Sequence, residues 1–407
     1  MTRFLVPAER GVYFLAVLAA GTVALVGDFG ATIASLTYAA SKKIAPQKLH
    51  GLALMATGAA TVAGGAILIG GQPLWARTVL KGVDRVDLAL ASAGIAPLLY
   101  TQICGGLLTG LGRVPQLSRV RIVAAICAPP IAIPAVWVSH GSSRWAIAGW
   151  LGSTVVYCIG VAAVLLRARL SAKRPTAHEL RELLGFGLRG QIGTISHQGF
   201  LRLDVLFLSA RSGPAVVGWY SLASVIAEKV ALVGSAVYSA SASRVGGLPL
   251  TDSATLIARL IRAVLLVLVP AGVILAVLAH PLITTVFGSD YAAAAKPLQL
   301  LIPGTICLVL WYLVSLYLVT ALRRPGLTTL IQLSAVAASI PLYYFAVKRY
   351  QMTGAAVAST LVYALVFLAG AFVFLRTSGI SVRALRPRGE DVRQLIALPS
   401  TIRRARA

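Results

Sequence analysis

The sequence predicts an all-α polytopic membrane protein of about eleven transmembrane helices in two parallel pseudo-repeats. Three observations carry that expectation. Hydrophobic residues make up 58% of the 407 positions and charged residues only 12%, too little polar surface to cover a soluble fold of this length. Apolar stretches long enough to cross a bilayer recur along the whole chain. Residues 7–27 (PAERGVYFLAVLAAGTVALVG) and 214–234 (PAVVGWYSLASVIAEKVALVG) agree at 12 of 21 positions without a gap, at a constant offset of 207.

The apolar segments lie at about 11–38, 50–72, 88–112, 122–139, 145–166, 184–210, 214–243, 263–279, 297–322, 327–347 and 353–375. The first lacks the short core and small-residue cleavage site of a signal peptide and reads as a retained helix. The repeat register persists beyond the first match: Arg113-x-Pro115-x-Leu117 returns as Arg323-x-Pro325-x-Leu327, and Ser153-Thr154-x-Val156-Tyr157 as Ser359-Thr360-x-Val362-Tyr363. Duplicated membrane halves are the usual architecture of secondary transporters. Shifted back by the repeat offset, segment 184–210 maps to positions before the start of the sequence. The halves therefore hold five and six helices, as though the first helix of a twelve-helix plan were missing. Six helices per complete half is an even number, which makes the halves parallel. Three regions follow: an N-terminal bundle with its cytoplasmic linker over 1–183, a C-terminal bundle over 184–376, and a basic cytoplasmic tail over 377–407.

A net charge of +25 would suit a nucleic-acid binder, but the placement of the 37 basic residues points to a membrane surface instead. Counted over alternate connections and the C-terminal tail, 24 fall on one side and 10 on the other, with Arg189, Arg202 and Lys229 inside spans. The positive-inside rule puts the 167–183 connection and the tail in the cytoplasm, where Arg clusters favour anionic headgroups. Cys104, Cys127, Cys158 and Cys307 fall inside spans without a pairing motif or nearby His, so they read as packing residues and no metal site is expected.

Two glycine patterns read as close packing. Gly185-x-Gly187-x-x-Gly190 matches a dinucleotide fingerprint but opens a membrane helix instead of following a strand. Gly106-x-x-x-Gly110 reads as a helix contact within the bundle. Charges that remain inside spans are costly and usually face a cavity or a partner. They are Asp28, Arg189, Arg202, Asp204, Glu228 and Lys229, joined by His197. On one helix, Arg189, Gly193, Ser196, His197, Phe200 and Asp204 share a sector of about 100°, while Arg202 projects from another side. A tight turn near residue 212 would bring His197 and Glu228 to the same depth, where they could pair. Asp28, His197, Asp204 and Glu228 are thus candidates for ion coupling; a structural ion pair, or Glu228 paired with Lys229, fits the same pattern. No pair of carboxylates suited to acid/base chemistry is evident, so an enzyme is not expected.

The stretch Leu184-Gly185-Phe186-Gly187 through Arg202-x-Asp204, then Val217-Gly218-Trp219-Tyr220-Ser221-Leu222-Ala223, resembles the seventh and eighth helices of O-antigen-type (Wzx-type) polysaccharide-biosynthesis flippases. These belong to the multidrug/oligosaccharidyl-lipid/polysaccharide (MOP) exporter superfamily. Phe287-Gly288-x-Asp290-Tyr291, Leu300-Leu301-x-Pro303-Gly304 and Gly354-Ala355-Ala356-x-Ala358-Ser359 extend the resemblance over nearly the whole chain. It implies a flippase of a bacterial cytoplasmic membrane, with its C-terminus inside, that carries lipid-linked sugar units around a central cavity. A polyprenyl-diphosphate-linked glycan is the partner so implied, with H⁺ or Na⁺ as coupling ion, no cofactor and no nucleic acid. Arg189, Ser196, Arg202 and Lys229 are the candidate substrate-pathway residues, the arginines because their fork suits a diphosphate. Rival expectations are a drug or cation exporter of the same superfamily, a membrane enzyme of polysaccharide assembly, and a non-transporting membrane protein.

Overall fold

The computed structural model describes residues 2–386, so the tail expected over 377–407 lies, from residue 387 on, outside the described residues. The described chain is helical and holds no strand. The first apolar segment is two helices, α1 (Pro7–Gly27) and α2 (Ala31–Ala40), parted where Phe29 and Gly30 take positive φ of 45° and 75°. Glycine enters that left-handed region freely and phenylalanine does not, so the break is a strained feature in the middle of a membrane segment.

The second segment is α3 (Pro46–Gly70), followed by a short α4 (Gln72–Arg77). The third is α5 (Arg85–Ala93) running into α6 (Ile95–Gly110). A capping box opens α5: the Asp87 backbone N–H donates to the Asp84 carboxylate at 2.7 Å and the Asp84 N–H donates back to Asp87 at 3.4 Å. Then come α7 (Val114–Val138), α8 (Ser143–Arg167), α9 (Ala177–Arg211), α10 (Pro214–Gly247), α11 (Leu250–Phe287), α12 (Ala295–Leu316) and α13 (Pro325–Ser378). Gln351, at φ 47° and ψ −125°, divides α13 into two helices. All eleven apolar segments are therefore helical. Among the described residues, nine helices are long and apolar enough to cross a membrane, the bent α13 counting once. With 35 residues α9 is long enough to cross but is not among those nine, because Arg189, Arg202, Asp204 and the polar residues between them lower its hydropathy. The protein is a multi-pass membrane protein.

Two compact units make up the fold. One runs to Ile195 and includes Ser209–Trp219; the other comprises Ser196–Leu208 and the chain from Tyr220 onward. Helices α9 and α10 thus contribute to both.

In the first unit, Leu15, Leu49, Leu52, Leu88 and Ile95 are fully enclosed. Hydrocarbon tails are as apolar as leucine, so between membrane helices burial itself adds little and close packing decides, which favours small residues at the contacts. A Cβ on Gly106 would meet the Thr32 carbonyl, and one on Gly110 the Leu36 carbonyl, so the four-residue glycine spacing lies along α2 as a close helix contact within the bundle. Gly187 likewise lies against the backbone of Gly30, which accounts for part of the glycine pattern at the start of α9. The segments expected on one side of the membrane meet each other. Lys48 pairs with Glu179 at 2.7 Å, Lys43 with Glu182, and the Lys173 N–H donates to the Gln47 carbonyl at 2.9 Å. Opposite-side segments do the same. Arg144 pairs with Asp84, the Ser143 N–H donates to Glu9 at 2.6 Å, and the Lys81 ammonium donates to the Ala210 carbonyl at 2.7 Å.

In the second unit the core is aromatic. Trp311, Tyr317, Tyr343, Phe200 and Phe374 are enclosed, with Tyr317 edge-on to Phe374 at 5.0 Å and Phe207 stacked on Tyr343 at 6.0 Å. Large apolar side chains also point outward, Val62 and Val277 among the most exposed, as a lipid-facing surface requires.

Candidate functional site

The polar side chains of the second unit gather where α9, α10, α12 and α13 meet. Asp204 is 1% exposed. The Tyr220 hydroxyl from α10 donates to its Oδ2 at 2.5 Å, and the Ser359 hydroxyl from α13 lies 3.2 Å from the same oxygen. Tyr343 reaches Ser359 Oγ at 3.1 Å, so three hydroxyls form one connected network around a single carboxylate. The Val205 N–H supplies the other oxygen, Oδ1, at 2.7 Å. An ionised carboxylate enclosed in a membrane unit is costly unless a cation, a proton or several donors hold it. Here the immediate partners are neutral.

Two residues earlier on α9, Arg202 is engaged by Glu228 of α10 through both ends of its guanidinium, Nη1 to Oε1 at 2.6 Å and Nη2 to Oε2 at 3.2 Å. Ser224 donates to the same carboxylate at 3.3 Å. The pair is half-exposed. His197 instead meets α13, where Gln332 Nε2 lies 3.3 Å from its Nδ1, and its ring packs against Phe200 and Tyr312. The expected neighbours His197 and Glu228 therefore each have another partner. Equal distance from a turn sets equal depth but leaves azimuth open. The long arginine stem bridges the offset of five residues, about 7.5 Å along a helix, whereas His197, though at the right depth, faces α13.

The second unit also contains a cavity of about 330 Å³. Its walls are His197, Trp311, Tyr312 and Gln332 on one side and Ser235, Tyr238 and Ser239 of α10 on another, with Ser315 completing it. No carboxylate, lysine or arginine is among these lining residues.

In the first unit, Asp28 sits at the break between α1 and α2 and is 5% exposed. Its carboxylate accepts from the Thr32 hydroxyl at 2.6 Å and the Thr32 N–H at 3.2 Å, so it holds the first turn of α2. Gln191 of α9 donates to the Leu25 carbonyl at 2.5 Å, near a helix end where carbonyls lack intrahelical donors. Arg189 and Lys229 are exposed and Ser196 is buried.

The structure thus unites Arg202 with Glu228, leaves Asp204 and His197 in separate settings within the same unit, and keeps Asp28 and Arg189 in the other. Tyr220, Tyr343, Ser359, Tyr312 and Gln332 were not singled out from the sequence. Tyr220 and Ser359 do lie inside the repeated motifs, opposite Tyr13 and Ser153, which was the available signal. Among the described residues no group of three or more His, Cys, Asp or Glu could hold a metal ion.

The model of a family described as polysaccharide biosynthesis protein matches residues 78–296, more than half of the chain. Among solved structures, a lipid II flippase, MurJ, in an inward closed conformation superposes with a TM-score of 0.72 at 15% identity, over 92% of this chain and 84% of that one. An inward-facing multidrug resistance MATE family transporter of the MOP superfamily gives 0.64 at 12% identity, over 91% and 93%. A MOP superfamily transporter from Pyrococcus furiosus, described as having a binding pocket of reverse polarity, gives 0.55 at 14%, over 91% and 88%. At these identities the likeness is one of fold. A search of curated protein sequences returns no significant match.

Proposed function

The chain belongs to the polysaccharide biosynthesis protein family, and from that premise we propose that it is a MOP-type transporter carrying a polyprenyl-diphosphate-linked oligosaccharide across a bacterial cytoplasmic membrane. Transport proceeds by alternating access and is driven by H⁺ or Na⁺ bound at Asp204. The fold shared with a lipid II flippase supports the lipid-linked class of cargo, and the family supports its carbohydrate part. No step of covalent chemistry is assigned to the protein.

The observation that carries the coupling is the enclosure of Asp204 by neutral hydroxyls from α10 and α13. A carboxylate so held takes up a cation readily, and the occupied and empty states favour different packings of the helices that supply the hydroxyls. Arg202 has its fork closed by Glu228, so Arg189, exposed on the same helix, is the better ligand for the diphosphate; Lys229 is a separate exposed cation of the second unit. Asp28, held by Thr32 and the Gly30 N–H close by in the chain, is a second candidate for ion binding in the first unit.

Asp204→Asn keeps the shape and removes the charge. In a deletion strain complemented with this variant, glycan export is expected to fall at least tenfold with the protein inserted at normal abundance. Export at the unaltered rate, with its ion dependence intact, would remove Asp204 from the coupling.

A further inference from the structure

Resting on the reading of this chain as a carrier of lipid-linked glycan, we infer that the cavity in the second unit is a binding site for one uncharged pyranose ring of that glycan. Its volume, about 330 Å³, falls at the lower end of the roughly 300–1,000 Å³ range of small-molecule sites, which suits one ring better than a whole oligosaccharide.

The chemistry of the walls is that of a sugar. A pyranose has apolar C–H faces and a rim of hydroxyls that both donate and accept. Tyr238 and Tyr312, both partly exposed, supply flat aromatic surface for the faces. The rim meets complementary groups. Ser235, Ser239 and Ser315 donate their protons to carbonyls of their own helices, at 2.9, 2.8 and 2.9 Å, which leaves their oxygens free to accept. Gln332 donates to His197 Nδ1, so Nε2 of the ring carries the proton and becomes a donor, and the second amide proton of Gln332 is another. Among the described residues the Tyr238 and Tyr312 hydroxyls have no protein partner, which gives two groups able to do either.

The same walls reject a charged sugar. A uronate would bring a carboxylate into a membrane-embedded cavity whose lining holds no lysine or arginine, and the nearby Arg202 is already closed by Glu228. A site built to hydrogen-bond hydroxyls also discriminates against a ligand that lacks them, since its own polar groups are then left unpaired.

The test is calorimetric titration of the purified full chain in nanodiscs with four probes: farnesyl diphosphate, the same lipid bearing a neutral disaccharide, the same lipid bearing a hexuronate disaccharide, and the free neutral disaccharide at millimolar concentration. The neutral sugar should tighten binding about tenfold over farnesyl diphosphate alone and the hexuronate should not. Gln332→Leu, which keeps the volume, and Tyr312→Ala should each abolish that gain while leaving farnesyl diphosphate binding unchanged, which also shows that the variants are folded. Equal gains from neutral and charged sugars, or a gain that both variants retain, would overturn the assignment and leave the flippase reading standing. If none of the three lipid probes binds but the free disaccharide does, and Gln332→Leu weakens it, the sugar site stands and the lipid-linked reading falls. If the free disaccharide also fails to bind, or binds all forms equally, the sugar site is wrong.

Discussion

Arg202 and Glu228 show how a pair of charges settles inside a membrane protein. Two hydrogen bonds at 2.6 and 3.2 Å repay part of the desolvation, and half-exposure lets water cover the rest. Removing one partner strands the other, so Arg202→Met and Glu228→Gln should each lower stability by about 2 kcal/mol, below the range for fully buried pairs. The combined Arg202→Met, Glu228→Gln variant should lose much less than the sum of the two. Thermal unfolding of all forms in one detergent gives the cycle, and additive losses in the double variant would mean that the two residues are not coupled. Six intramembrane charges could be recognised in the sequence, because each costs energy wherever it lies. Their partners could not, because Arg202 and Asp204 are two residues apart yet meet different groups.

At the scale of helices, α1 and α10 carry the repeat into space. Both begin at a proline, Pro7 and Pro214, in the position where a missing N–H costs nothing. A Cβ on Gly11 would strike the Pro214 carbonyl, and one on Gly218 would strike the Pro7 carbonyl, two contacts that interchange under the same offset of 207. The helix starts therefore lie against each other through a local twofold relation. Gly218→Val should overpack this crossing and cost about 1–3 kcal/mol, read as a lowered melting temperature, whereas Gly213→Val, with open space around its Cβ position, should cost less. A second element-scale device is the clasp between Lys48 and Glu179 at the start of α9. The Lys48 ammonium, with the Thr176 N–H and hydroxyl, lowers the Glu179 carboxyl from 4.5 to about 2. A folded-state value below the unfolded one means that the clasp is complete above about pH 4.5 and is lost as pH falls through about 2. The ratio of the pepsin cleavage rate at residues 168–176 in the native chain to that in Glu179→Gln should accordingly rise toward one as pH falls from about 4 to 2, the variant correcting for pepsin's own pH dependence.

For the whole molecule, sidedness is the property that charge controls. Segments expected on a common side are joined by hydrogen bonds or ion pairs, Lys43 and Lys48 with the start of α9 at one end and Arg144 with Asp84 at the other. With the basic side in the cytoplasm, a cysteine at Ser171 should resist impermeant thiol reagents in intact cells, and one at Ser142 should react. Labelling at Ser171 without labelling at Ser142 would invert the orientation.

Sequence alone determined the class and the positions of the helices, and it set the expectation for their alternation across the membrane. Those follow from terms that act residue by residue: transfer of apolar side chains into lipid, the backbone's need for internal hydrogen bonds, and the pull on positive loops. The internal match at offset 207 also made the duplication visible. Tertiary structure decided what each polar group does. It broke the first segment at Phe29 and Gly30, bent the last at Gln351, gave Glu228 to Arg202 instead of His197, and enclosed Asp204 with hydroxyls from helices far along the chain. Azimuth and partner depend on how helices rotate as they pack, and that rotation is set by many weak contacts between distant residues, which no local pattern contains.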